Sequence, residues 1–155
     1  MRRCNCCTEE KPGSTSVCPE CGNPGPAVPE ETLTALLRPE ASSCRLPVRY
    51  LFCESHDCST VYYSATGASR FTKSDLTVRV GSKEAEAPRP LCYCFGHTYE
   101  SMREEWDQSH RTTALAEIET ATKAGACRCR VTNPRGTCCL SEVRRFCDEL
   151  RESER

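Results

Sequence analysis

The chain has 155 residues, enough for one ordinary domain or two small ones, and a formal net charge of −1 with both signs mixed along its length. This charge pattern contains neither a basic stripe for nucleic acid nor an acidic tail for a basic partner. Hydrophobic residues make up 37%, but 15 of them are cysteines, so roughly 42 residues are left for a conventional core that needs additional stabilisation.

The first half of the chain predicts one short helix and a small antiparallel sheet. Residues 1–31 hold five cysteines and five prolines without a periodic apolar pattern, which is typical of a metal-tied loop or of a flexible leading segment. The segment TLTALLRPEA permits a helix over 32–37, ended by Pro39. Four β-rich runs follow between Val48 and Val80, namely VRYLFC, STVYYS, RFT and LTVRVG, and turns with polar residues and glycine separate them.

A polar, charged segment closed by two prolines, residues 82–90, separates this half from a helical one. We place the boundary there and predict an α+β fold, with a β part at 1–88 and a helical part at 89–155. After the boundary the apolar period changes from two to about 3.6 residues. Three helices are expected, with N-caps at Thr98, Thr113 and Ser141. Their apolar positions are Tyr99, Met102 and Trp106; Leu115 and Ile118; and Val143, Phe146, Cys147 and Leu150.

The cysteines are better explained by metal binding than by disulfides. The N-terminal sequence MRRCNCC lacks the apolar run of a secretory signal, and nowhere do 18 apolar residues follow one another. We therefore expect a cytoplasmic protein without membrane insertion, in a compartment where structural disulfides are rare. An odd number of cysteines in C-x-C and C-C spacings also suits a disulfide framework poorly.

Two cysteine pairs in the β part have the spacing of a structural zinc site. Cys18 and Cys21 form a C-x₂-C pair, and Cys53 and Cys58 form a C-x₄-C pair. Zinc–sulfur bonds of ~2.3 Å place neighbouring sulfurs ~3.8 Å apart, so each pair must come from a tight turn. We predict that the two pairs bind one zinc in a zinc-ribbon-like arrangement whose metal adds folding free energy. The alternative is a single C-x₂-C zinc knuckle plus two buried thiols. His56, between Cys53 and Cys58, is expected to be a solvated turn residue, with replacement of one cysteine ligand as the alternative.

Six cysteines of the helical part are concentrated in two short runs. Cys92 and Cys94 precede the first predicted helix, and the others lie between the second and the third, at Cys127, Cys129, Cys138 and Cys139. A 2Fe–2S cluster needs four thiolates, two on each iron. The two runs can provide them if the helices bring both loops together. Spacing alone does not decide between neighbouring cysteines of the later run.

The order of these motifs resembles a known family. A zinc knuckle followed by YLFCESHDCSTVYYS, LTVRVGSKEAEAPRPLCYCF and RVTNPRGTCC resembles the N-terminal domain of CopZ-type copper chaperones, from about Cys18 to Phe146. CYCF with AGACRC is also similar to the helical iron–sulfur fold of bacterioferritin-associated ferredoxin. The resemblance implies zinc ligands at Cys18, Cys21, Cys53 and Cys58. It implies ligands of a 2Fe–2S cluster at Cys92, Cys94, Cys129 and Cys139.

The two similar families differ in which cysteine they favour. The CopZ register on VTNP selects Cys129 over Cys127, and Cys139 over Cys138, whereas a closer match to the ferredoxin would favour Cys127. CopZ-type chaperones also carry a ferredoxin-like domain with an M-x-C-x-x-C loop for Cu(I), a motif that this sequence lacks. The sequence CNCC instead offers Cys4, Cys6 and Cys7, either as a thiol tail that captures a soft ion or as thiols without a specific role.

The function that this resemblance implies is non-enzymatic. We expect an iron–sulfur and zinc-binding metallochaperone-like protein for a soft metal, copper or mercury, with the cluster supplying one electron to the incoming ion before thiolate capture. The expected partners are a metal-transporting ATPase or a redox partner. A small 2Fe–2S electron-transfer protein and a zinc-only interaction module are the alternatives.

Overall fold

The computed structural model describes residues 17–155, and within them the chain has the predicted α+β fold. Cys4, Cys6 and Cys7 lie outside the described residues. The main sheet is antiparallel, with strands in the order β1 (Ala27–Val28), β2 (Tyr50–Phe52), β3 (Thr60–Ser64) and β4 (Arg70–Thr72). A second, two-stranded sheet consists of β5 (Pro90–Cys92) and β6 (His97–Thr98). The α-helices are α1 (Glu30–Leu36), α2 (Pro39–Ser42), α3 (Tyr99–Ser109), α4 (Ala114–Lys123), α5 (Cys129–Thr132) and α6 (Leu140–Glu152).

The sheet confirms three of the four predicted strands. Strands β2 and β3 pair with Tyr50 opposite Ser64, and β3 pairs with β4. The prediction of a strand over LTVRVG was wrong, because the chain leaves the sheet there in a 3₁₀ turn at Lys73–Asp75. The carboxylate of Asp75 accepts a hydrogen bond from the backbone N–H of Thr72 (2.8 Å) and so closes this turn. The edge strand β1 was missed because two residues are too short to show an alternating pattern.

The helices follow the predicted periodicity with small shifts at their ends. Helix α1 begins two residues before the predicted start, and Pro39 begins α2, since proline is accepted in the first turn of a helix. Thr98 caps α3 as predicted and accepts a hydrogen bond from the N–H of Ser101 (3.0 Å). Helix α6 begins at Leu140 with Cys139 as N-cap, so the predicted cap at Ser141 was wrong. None of the helices within residues 17–155 has the length and hydrophobicity that a membrane-spanning segment needs.

Two larger apolar clusters, one on the sheet and one among the helices, form the core. The sheet cluster contains Val28, Leu33, Leu37, Ala41, Tyr50, Phe52, Val61, Tyr62, Phe71, Leu76 and Val80. The helical cluster includes Met102, Trp106, Ile118, Val143, Phe146 and Leu150 together with four buried cysteines. The two parts are joined by hydrogen bonds from Thr32 Oγ1 to the Arg130 carbonyl and from Tyr62 Oη to the Pro134 carbonyl, both 2.6 Å long. The division at 88/89 stays a prediction.

Gly81 marks a close approach between the chain after β4 and strand β5. A Cβ atom at this position would lie 1.7 Å from the Pro90 carbonyl oxygen, and the Gly81 N–H donates to Tyr93 Oη (3.0 Å). We expect Gly81→Ala to destabilise the protein by about 2–4 kcal/mol, because backbone atoms must move. Ser82→Ala, at the half-buried next residue, is the control and should cost less than about 1 kcal/mol. Thermal unfolding measures both, and equal costs would contradict the argument.

Candidate metal centres

Four sulfur atoms converge at one end of the main sheet. The Sγ atoms of Cys18, Cys21, Cys53 and Cys58, here called the four-thiol group, all lie within 4.8 Å of one another. Two pairs are in contact, Cys18 with Cys58 at 3.8 Å and Cys21 with Cys53 at 3.7 Å. Zinc held by four thiolates at ~2.3 Å requires sulfurs ~3.8 Å apart. The residues present therefore fit a zinc ion, and the structure brings together all four cysteines that the sequence singled out.

Tight turns place these cysteines, as the spacing predicts. The N–H of Gly22 donates to the Cys18 carbonyl (2.8 Å), and the N–H of Cys18 donates to the Asn23 carbonyl (2.8 Å). Gly22 has a φ of +75°, in the left-handed region where glycine carries no steric penalty. Cys53 directly follows β2, and its backbone N–H donates a hydrogen bond to the Val61 carbonyl of β3 (2.8 Å), which fixes its position beside the sheet.

A carboxylate that the sequence analysis did not identify, Glu20, connects the Cys18–Cys21 turn to the main sheet by hydrogen bonds. Glu20 accepts hydrogen bonds from the hydroxyls of Thr60 (2.7 Å) and Ser59 (2.8 Å), and Arg70 lies 3.3 Å away. These hydrogen bonds lower the pKa of Glu20, and the one from Thr60 has the largest effect. Only the tertiary fold reveals this role, because the partners of Glu20 are 39 to 50 residues away in the sequence.

Hydrogen bonding and burial act in opposite directions on the four thiols. The Ser55 hydroxyl, 3.2 Å from Cys21 Sγ, lowers the pKa of that exposed thiol to about 6. Burial raises the pKa values of Cys53 and Cys58. Ligand sulfurs must be deprotonated, so metal binding would displace protons from the two buried thiols. His56 is exposed, and its Nδ1 lies 2.6 Å from the Ser82 carbonyl, outside the sulfur group.

Lys83 places a buried positive charge beside the four-thiol group. Lys83 is only 4% exposed, and lysine is almost never fully buried without a partner. The ammonium group donates to the carbonyl oxygens of Ser55 (2.6 Å) and Cys58 (3.1 Å), both in the loop that carries Cys53 and Cys58. Lys83 therefore holds this loop in place and opposes part of the negative charge of the thiolates. Nothing in the local sequence around Lys83 signals this contact.

A second thiol group lies in the helical part and consists of Cys92, Cys94, Cys127, Cys129 and Cys139. The Sγ atom of Cys129 lies 3.5 Å from that of Cys94 and 3.2 Å from that of Cys127. Cys139 hydrogen-bonds through its sulfur to both Cys129 and Cys92. Within the described residues Cys138 is separate from this group, with its Sγ 3.9 Å from the Thr122 hydroxyl. The structure thus joins the four cysteines implied by the resemblance, and adds Cys127.

Short elements on both sides aim these thiols at one another. Cys92 ends β5, and the following turn closes with the N–H of Gly96 on the Cys92 carbonyl (3.0 Å). Cys129 is the first residue of α5, and Cys139 is the N-cap of α6. Buried Asn133 holds the loop between them, since its side chain donates to the Thr137 carbonyl (3.2 Å) and accepts from the Arg135 N–H (3.0 Å). The resulting turn leads directly to Cys139 at the start of α6.

The surroundings of these sulfurs lower the pKa of Cys92 and Cys129 but raise the pKa of Cys94, Cys127 and Cys139. Hydrogen bonds from Cys139 lower the pKa of Cys92 to about 7 and that of Cys129 to about 5. The pKa of Cys139 itself is raised, because its proton is shared with these two sulfurs. The backbone N–H of Arg128 also donates to Cys94 Sγ (3.1 Å), although burial raises the pKa of that thiol. Two separate segments supply enough largely buried sulfurs to hold a 2Fe–2S cluster, so the residues present fit one.

Comparisons with known proteins identify the relationship. A family model described as the zinc binding domain of CopZ matches residues 15–77, which include the whole four-thiol group. The X-ray structure of the Archaeoglobus fulgidus CopZ N-terminal domain superposes with a TM-score of 0.70 and 31% identity, over 84% of this chain and 96% of that one. This chain belongs to the family of CopZ N-terminal domains. The predicted resemblance is confirmed, and the family has a zinc-binding domain.

The curated CopZ relative is longer than this chain. The copper chaperone CopZ of Archaeoglobus fulgidus is 35% identical over 129 residues, which are 83% of this chain and 60% of the relative. The chain therefore spans less than two thirds of that CopZ protein's length. The matched length in both CopZ comparisons is greater than the 15–77 segment, so the similarity continues into the helical part. The likeness to bacterioferritin-associated ferredoxin stays a prediction.

Proposed function

We propose that the chain is a non-enzymatic metallochaperone-type protein for a soft metal ion such as copper, with a zinc ion in its β part and a 2Fe–2S cluster in its helical part. The observation that carries this proposal is the pair of separate thiol groups on one CopZ-type fold. The relative with 35% identity is a copper chaperone, which supports copper as the cargo. Within residues 17–155 eleven cysteines are free thiols and Cys44 is disulfide-bonded, and this excess of free thiols supports a reducing cytoplasm as the proposed working compartment.

The four-thiol group is proposed to hold the structural zinc. Its four sulfurs form a closed set, and a zinc ion with four protein ligands has no open position for water or substrate. Its role is then to stabilise the turn at Cys18–Cys21 against the loop at 53–58. The buried apolar cluster at this site is small and consists of three of the ligand cysteines, Cys18, Cys53 and Cys58, together with Leu51 and Tyr63. Without the metal, so small a cluster is not expected to hold the two segments together.

The second thiol group is proposed to hold the cluster through Cys92, Cys94, Cys129 and Cys139. When bound, a 2Fe–2S cluster supplies electrons one at a time, which is the change needed to convert Cu(II) into Cu(I). The chain contributes deprotonated sulfurs, the N–H of Arg128 as a hydrogen-bond donor to Cys94, and burial of Cys92, Cys129 and Cys139 away from water.

Reduction matters for capture because thiolates prefer the soft monovalent ion. An electron-transfer partner must return the electron for each Cu(II) that is reduced. A metal-transporting ATPase is the proposed recipient of the captured ion. An electron-transfer protein without cargo would share the cluster but would not retain added Cu(I), so metal titration separates these two functions.

The decisive experiment is a visible absorption spectrum with iron, sulfide and zinc analysis on protein purified without oxygen. The proposal expects coloured protein with about two irons, two sulfides and one zinc per chain. Anaerobic addition of Cu(I), followed by desalting, then tests for cargo binding. Colourless protein with two or more zincs that resists cluster reconstitution would instead identify a zinc-only module, and the electron-transfer argument would fail.

Lys83→Met tests whether the buried ammonium supports zinc binding. We expect zinc to pass to a chromogenic chelator at least ~10-fold faster, because a charge-assisted hydrogen bond to the loop contributes about 1.5–3 kcal/mol. Lys123→Met removes the same charge from the exposed end of α4 and serves as the control. Rates are measured well below the unfolding temperature of each variant. Equal transfer rates in both variants would show that Lys83 does not support the site.

A further inference from the structure

Five thiols meet in the second thiol group, but two irons take only four. Cys127 is the member that the proposed ligand set leaves over, and its Sγ lies 3.2 Å from that of Cys129. The residue is half-buried, whereas Cys129 is buried, so Cys127 is the more accessible of this pair. The group therefore has one spare sulfur next to two cluster ligands.

Cys94, Cys127 and Cys129 together have the geometry of a three-thiolate site. Their sulfurs all lie within 4.8 Å of one another, with separations of 3.2 Å and 3.5 Å to Cys129. Three thiolates around one ion, with metal–sulfur bonds of ~2.3 Å, lie about 4 Å apart, so modest side-chain adjustments suffice. All three donors are sulfur, which selects a soft ion such as Cu(I) over hard cations that prefer oxygen.

We propose that Cys94, Cys127 and Cys129 form a binding site for one Cu(I) ion, which competes with the cluster for Cys94 and Cys129. The inference rests on the proposed function, since it assigns residues to the cargo ion. The cluster and the bound Cu(I) are then alternative occupants, so the cluster gives its electron before the ion enters this site. In the exchange Cys127 releases its thiol proton to solvent, and the other two thiolates break their bonds to iron and bond to Cu(I). Cu(I) leaves its previous ligands, and Cys92 and Cys139 also lose their bonds to iron and take up protons from solvent. Iron and sulfide go into solution, and no electron is transferred.

This arrangement makes Cys127 the entry residue. An ion that binds first to the spare sulfur is already within a few ångströms of Cys129 and Cys94, so each further bond forms within the site. Cys138 is the matched comparison, because it is also half-buried, also outside the proposed ligand set, and separate from the sulfur group.

The test is an anaerobic Cu(I) titration of the full chain loaded with zinc and cluster. Cys4, Cys6 and Cys7 are replaced by serine in every sample, so that these thiols do not bind the added ion. Bound copper, released iron and retained zinc are measured after desalting. We expect about one Cu(I) per chain, a matching loss of visible absorption, and unchanged zinc. Cys127→Ser should need at least ~10-fold more Cu(I) for half-maximal iron release, whereas Cys138→Ser should match the parent.

The outcomes separate the inference from the function on which it rests. Equal Cu(I) requirements for Cys127→Ser and Cys138→Ser would overturn the three-thiolate site while the cluster assignment stands. Loss of iron from Cys127→Ser before any copper is added would also overturn it, by making Cys127 an iron ligand. Cys127→Ala, measured in parallel, excludes an effect of the serine hydroxyl. A parent protein that never binds iron would contradict the proposed function itself.

Discussion

Cys53→Ser is expected to release the zinc and to destabilise the β part severely. Cys53 is only 1% exposed and lies at the end of β2, where its sulfur contacts that of Cys21 at 3.7 Å. Structural zinc contributes about 10–16 kcal/mol of binding free energy in small domains, which is comparable with the whole stability of a typical protein. A serine hydroxyl is a harder and more weakly acidic donor, so much of this stabilisation should be lost.

Zinc analysis and thermal unfolding measure the effect of Cys53→Ser. We expect near-zero zinc and a Tm lower by about 10 °C or more, which corresponds to roughly 4 kcal/mol for a chain of this length. Cys147→Ser is the control, because it removes a buried thiol of the helical core whose sulfur contacts the Thr112 hydroxyl instead of either thiol group. That control should keep its zinc. A Cys53→Ser protein with full zinc content and unchanged Tm would exclude the four-thiolate site.

Cys92→Ser is expected to remove the visible absorption and the iron while leaving the zinc in place. Cys92 is 1% exposed and shares a hydrogen bond with Cys139, which caps α6, so its sulfur lies between β5 and that helix. Losing one of the four thiolates leaves one iron with a single protein ligand in place of two. Iron content should fall from about two per chain to near zero. The β part, whose four-thiol group does not include Cys92, should unfold at nearly the same temperature.

Iron, sulfide and zinc analysis of Cys92→Ser and Cys138→Ser side by side provides the measurement. Cys138→Ser should keep both metals, because Cys138 lies outside both described thiol groups. The opposite pattern, in which Cys92→Ser loses zinc but keeps its colour, would contradict the assignment of both groups at once.

The zinc-type site was predictable because its ligands come as local pairs. A C-x₂-C or C-x₄-C spacing with glycine or proline nearby forms a tight turn wherever it occurs, and two such pairs have few other uses in a reducing compartment. Helices α3 and α6 were predictable for a similar reason, since Met102, Trp106, Val143 and Phe146 follow the helical period and are all buried. The strand predicted over LTVRVG failed because a hydrogen-bonded turn at Asp75 diverts the chain.

The sequence by itself determined that thiols would be grouped, and in which pairs, because neighbouring residues constrain turn geometry. Only the tertiary structure decided which sulfurs share a site. Cys127 and Cys129 have similar local sequence, as do Cys138 and Cys139, and their side-chain directions depend on where α5 and α6 begin against the packed core. The roles of Glu20 and Lys83 likewise depend on partners 25 to 50 residues away, since long-range packing, unlike turn chemistry, leaves no local pattern.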